Sequence, residues 1–197
     1  MNAKTLLLGT IFGTLTLFAW ESVSNTVIPW HAPTMKAFKD SNAVVQTIKA
    51  NAPTNGMYIE TRGVVAAVSF LPDMRSKTTL LGLMLGRQFV LDVAVALILL
   101  LTILRLPRAT NLQYAFGTGA AAFAVSLSVF VSDWNWYGFG AGWTVVNTLE
   151  RTIGYALMGL VVGACVNKWA PRPTTDEWGG VKAPTGLPST IGVPAKR

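Results

Sequence analysis

Long apolar runs alternate with short polar segments along this chain. Four runs approach or exceed the roughly 20 residues that an α-helix needs to cross a bilayer. They extend from about Thr5 to Ile28, Leu80 to Leu104, Gln113 to Ser132 and Trp143 to Val166. A cleaved signal peptide would read Lys4, then Leu6 to Trp20, then Ser22-Val-Ser24 as the cut site. Glu21 and the apolar Val27-Ile28 fit an uncut helix better.

The segment between the first two runs is too long for a simple connector. Asp40 or Ser41 can cap a short helix with Val44, Val45 and Ile48 on one side. Pro53 and Asn55-Gly56 are turn signals. Met57 to Leu71 then reads as one or two strands, with Gly63 at a turn or bulge. A segment of this size without cysteine is expected to rest on the bundle or on a partner. After Trp169 the chain turns rich in Pro and Gly and loses all periodicity. Composition predicts disorder there. The alternative is an extended arm on another subunit, anchored by Trp178, Leu187 and Ile191.

The expected fold is therefore an all-α transmembrane bundle of four helices. A small α+β extracytoplasmic cap separates helices 1 and 2, and an extended tail follows. The expected boundaries are 1–28, 29–79, 80–168 and 169–197. Gly9/Gly13, Gly82/Gly86 and Gly159/Gly163 are each spaced GxxxG, which lets helix backbones approach closely.

Composition agrees: 51% of the 197 residues are hydrophobic and 13% charged. The net charge of +7 comes from Lys and Arg in short segments beside the apolar runs, so it carries topology before partner choice. Lys4, Arg105, Arg108, Lys168 and Arg172 flank one side, and Asp133 to Gly142 has no basic residue. The positive-inside rule then expects both termini in the cytoplasm. Trp30, His31, Trp134 and Trp136 are expected at the outer interface.

A nucleic-acid partner is not expected, because no basic domain interleaved with aromatics is present. One cysteine (Cys165) and one histidine (His31) exclude an intramolecular disulfide, CxxC chemistry and a bis-histidine haem within the chain. No phosphate-binding glycine loop is present. No cofactor and no metal are expected in the chain itself, although contact with lipid, quinone or pigment would suit its surface.

Five ionisable residues fall inside the runs: Glu21, Arg87, Asp92, Glu150 and Arg151. Such residues are expensive in a membrane and usually face the bundle interior. Counting residues from the ends puts Glu21, Arg87 and Glu150 roughly 10 Å below one face. Arg151 is one residue deeper, and Asp92 lies nearer the midplane. Asn25, Gln88 and Asn147 share the faces of Glu21, Asp92 and Arg151 at a spacing of four. Two arrangements follow: an interhelical ion-pair network that fixes helix register, or a polar pocket for a quinone headgroup, a small polar molecule or protons. His31 is expected to hydrogen-bond to backbone or to Glu21.

Trp20-Glu21-Ser22 followed by Pro29-Trp30-His31 resembles the end of the first helix in a group of bacterial four-helix inner-membrane proteins that carry no assigned activity. The resemblance covers the first 31 residues and the order of the spans. It implies bacterial origin and membrane location, and nothing about catalysis. Two functions are expected from different classes. One is a non-catalytic accessory subunit stabilising a larger membrane complex, respiratory or photosynthetic. The other is a small membrane enzyme or quinone-binding protein that uses the charge cluster. A closed, paired cluster would favour the first, and a cleft reaching the charges the second.

Overall fold

The computed structural model describes residues 2–60, 63–69 and 77–171. Four helices are long and apolar enough to cross a membrane. They are α1 (Ala3–Thr26), α3 (Lys77–Ile103), α4 (Asn111–Tyr137) and α5 (Ala141–Trp169). The short helix α2 (Ser41–Asn51) and an antiparallel pair, β1 (Gly56–Glu60) and β2 (Val64–Val68), lie between α1 and α3.

Local chemistry sets the ends. The Asn2 side chain accepts from Lys4 N at the start of α1, and the helix stops three residues before Pro29. Asp40 caps α2 by accepting from Ala43 N at 2.9 Å. Thr110 and Gln113 form a reciprocal capping box on α4. That helix ends at Gly138, whose φ of 71° suits glycine.

The hairpin pairs Met57 with Ala67 and Ile59 with Val65. Tyr58 sits half-buried on one face, while Met57, Ile59 and Val65 are exposed on the other. On α2, Val44 and Ile48 are half-buried but Val45 is exposed, because one helical step is a rotation of about 100°. The expected grouping of all three is thus corrected to two. Trp178, Leu187 and Ile191 lie outside the described residues.

The hub of the bundle is α5, which packs on α1, α3 and α4, while α1 also packs on α3. No substantial interface joins α3 to α4. The core consists of Leu17, Ala96, Leu100, Ile103, Tyr114, Met158, Val162 and Val166. At the end carrying Ala3 and Trp169, Arg108 donates to the carbonyls of Val166, Ala170 and Pro171. These bonds tie the α3–α4 connection to the end of α5.

Two of the three glycine pairs sit at close helix contacts. A Cβ on Gly9 or Gly13 would meet Leu100, Val162 or Ala96, and one on Gly159 or Gly163 would meet Thr118 or Tyr114. Gly82 and Gly86 face open space. Thr118 Oγ1 also donates to the Tyr155 carbonyl at 2.9 Å, so Gly159 leaves room for a bond between α4 and α5. Gly159→Ala is expected to displace Thr118 and destabilise the protein by about 1–3 kcal/mol. Gly82→Ala should be neutral or slightly stabilising. Thermal unfolding of both variants in detergent checks this.

Candidate functional site

Three of the four long helices converge on a polar cleft. Its walls come from the last third of α1, the first two-thirds of α3 and the middle of α5. The cleft has a volume of about 630 Å³. Glu21, Asp92, Glu150 and Arg151 line it, as do the amides of Asn25, Gln88 and Asn147. The remaining wall is apolar and aromatic, with Phe18, Trp20 and Tyr155 among its members.

The carboxylates are satisfied by amides and a histidine. Gln88 Nε2 donates to Glu21 Oε2 at 2.7 Å and to Asp92 Oδ1 at 2.8 Å. Both of its N–H bonds are thereby used, one on each carboxylate. Asn25 Nδ2 donates to Glu150 Oε1 at 2.7 Å. His31 Nε2 faces Glu150 Oε2 at 3.3 Å. Glu21 Oε1 and Asp92 Oδ2 receive no such donor among the described residues, and of the two Asp92 Oδ2 is buried.

His31 reaches this site because the chain folds back after α1. Pro29 and Pro33 prevent the helix from continuing, and a single 3-10 turn forms at Ala32–Thr34. Trp30 stacks edge-on against Trp20 and donates to Ser24 Oγ at 3.1 Å. Ser24 Oγ in turn lies 3.5 Å from His31 Nε2. The expected partner of His31, backbone or Glu21, is corrected to Glu150. The expectation fails because it treats α1 alone, whereas the turn swings His31 across to α5. Trp30 is consequently half-buried, while Trp134 and Trp136 near the end of α4 are exposed.

Trp20 seals the seam between α1 and α5. Its Nε1 donates to the Glu150 backbone carbonyl at 2.9 Å. The indole lies against α5 at Gly154, where a Cβ would meet Trp20 Cδ1 at 2.7 Å. A glycine four residues after Glu150 therefore permits this bond.

The arginines do not pair with these carboxylates. Arg87 is exposed and does not line the cleft. Among the described residues it has no ion pair. Its depth along α3 is right, but its direction is not. Arg87 follows Leu83 by four residues and precedes Val90 by three, and both are exposed. The inward side of α3 carries Asp92, Ala96, Leu100 and Ile103. Arg151 does line the cleft, and its guanidinium lies 5.5 Å from the Phe130 ring centre. Among the described residues it forms no salt bridge with Glu21, Asp92 or Glu150.

Sequence reasoning missed Trp20 and Tyr155 as wall residues, and missed Gln88 as the donor to Glu21. The spacing of four places Gln88 beside Asp92, but its bond to Glu21 depends on how α1 packs on α3. Cys165 is buried between apolar neighbours, as its position predicts.

Replacing Gln88 with Leu would leave two carboxylate oxygens without a donor. Interhelical hydrogen bonds in membranes contribute about 0.6 kcal/mol on average, so loss of both is expected to cost roughly 1 kcal/mol. A Gln88→Leu melting temperature in detergent a few degrees below wild type would match this. An unchanged melting temperature would show that neither bond contributes.

Comparison of the chain with protein-family models, with curated proteins and with solved structures finds no match.

Proposed function

We propose that this chain is a small integral membrane protein that binds a small molecule in the cleft between α1, α3 and α5. One observation carries the reading: three carboxylates and Arg151 border an open cleft, and among the described residues no arginine–carboxylate pair fills it. A purely structural network would be closed and mutually paired. Concave sites with mostly apolar walls and a few converging polar groups are the usual form of ligand pockets. The membrane would be a bacterial inner membrane with both termini cytoplasmic, and α2 and the hairpin would form a cap outside it. The positive-inside argument supports that orientation.

A second reading, accessory subunit of a larger respiratory or photosynthetic complex, draws on a different observation. Arg87 is an exposed cation among exposed Leu83 and Val90 on a helix apolar enough to span a membrane. A neighbouring subunit that offers a carboxylate would relieve the cost of that charge.

One experiment separates the readings. The protein is purified from its native membrane in mild detergent, and the intact particle is examined by mass spectrometry. The binding reading expects a small molecule retained at about one per chain. It also expects that molecule to be lost in Asp92→Leu while the fold persists. Stoichiometric protein partners that dissociate in Arg87→Leu, with no retained small molecule, would replace it with the accessory reading.

A further inference from the structure

A second groove lies beside the polar cleft. On α3 the cleft's lining residues Gln88, Asp92 and Val95 are followed at the same helical spacing by Leu99, Thr102 and Ile103. The latter three border a groove of about 610 Å³ between α3 and α4, floored by α5. The groove exists because α3 and α4 do not pack on each other. Arg151 and Tyr155 line both spaces, so these two side chains form the boundary between them. From Asp92 to Ile103 the path along α3 is roughly 16 Å. That is about half the ~30 Å thickness of a bilayer's hydrocarbon core, the reach of one lipid tail.

The two ends differ in chemistry. The groove is walled by Leu99, Ile103, Ala122 and Val125 with few polar atoms. The cleft sets three carboxylates, Glu21, Asp92 and Glu150, against one guanidinium, Arg151. Both N–H bonds of Gln88 are already used, and Asp92 Oδ2 is buried with no partner, on a residue only 1% exposed. A head that brings a hydrogen-bond donor would satisfy the Asp92 oxygen. A carboxylate or phosphate head would add negative charge beside Glu21, Asp92 and Glu150.

We propose that the ligand is a single-tailed amphiphile. Its neutral or cationic head donates a hydrogen bond to Asp92 in the cleft. Its apolar tail passes Arg151 and Tyr155 and lies in the groove between α3 and α4. This rests on the binding reading above and adds the class of ligand and the path of its tail.

The test uses the full chain in non-ionic detergent and native mass spectrometry with four probes: dodecylamine, dodecanol, dodecanoate and butylamine. Wild type is expected to retain one dodecylamine or dodecanol, with dodecanoate and butylamine each weaker by at least about tenfold. Gly117→Leu fills the groove from α4, at a position where an added side chain meets nothing within 4 Å. It should reduce dodecylamine retention to the level of butylamine. Asp92→Leu should weaken dodecylamine by about tenfold or more. If Gly117→Leu retains dodecylamine like wild type, or if butylamine binds equally well, the tail path is wrong while the cleft reading stands. Preference for dodecanoate overturns the assignment of the head. Retention of no probe by wild type, or retention indifferent to both variants, removes the proposal. Recovery of a bound small molecule of another class from native membrane would then keep the cleft reading alive.

Discussion

A carboxylate inside an apolar bundle must be given donors, and this requirement organises the molecule. Glu150 lies in the first half of α5, the helix that touches every other span. Its side chain takes a hydrogen bond from Asn25 and faces His31, and its backbone carbonyl takes one from Trp20. One residue thereby fixes the register of α1 on α5 and draws the chain after α1 back over the bundle. Gly154 makes the contact feasible by leaving room for the indole. Desolvation of a charged group costs several kcal/mol, so such an arrangement is retained only where the geometry supplies partners.

The same requirement, met incompletely on α3, produces the cleft. Gln88 has two N–H bonds and spends one each on Glu21 and Asp92. Asp92 Oδ2 is left over. The guanidiniums that could have closed the gap are directed elsewhere, Arg87 away from the bundle and Arg151 toward Phe130. A bundle built only for stability would gain from apolar residues at these positions. The weak contact between α3 and α4 has a related consequence, because it leaves an apolar groove beginning where the polar cleft stops.

Much of the fold is legible in the sequence, because its signals are one-dimensional. The four apolar runs fix the spans to within a few residues at each end, as Thr5 to Ile28 against Ala3–Thr26 illustrates. Asp40 announces α2, and Gly63 between two β-prone stretches announces the hairpin. The composition of the site is legible too, since an ionisable residue within a span stands out. Its pairing is not. Counting residues gives depth, and depth placed Arg87 beside Glu21. Direction around the helix axis decides contact, and each residue step turns it by about 100°. Gln88, one step on, points inward where Arg87 does not. The partner of His31 depends on a turn after Pro29 and on the placement of α5, neither of which follows from local pattern. The glycine pairs teach the same lesson, for Gly82 and Gly86 have the right spacing on a face that meets nothing.

The proposed binding requires a solvent-reachable acidic cleft on one side of α3. The most direct measurement compares two cysteines at neighbouring depths, in a Cys165→Ser background and in reconstituted vesicles. Leu85→Cys lines the cleft, and Gly86→Cys faces away from it. A cationic, water-soluble thiol reagent is expected to modify Leu85→Cys readily and faster than an anionic one does, while Gly86→Cys stays protected. Equal protection of both, or modification of Leu85→Cys without charge preference, would contradict it.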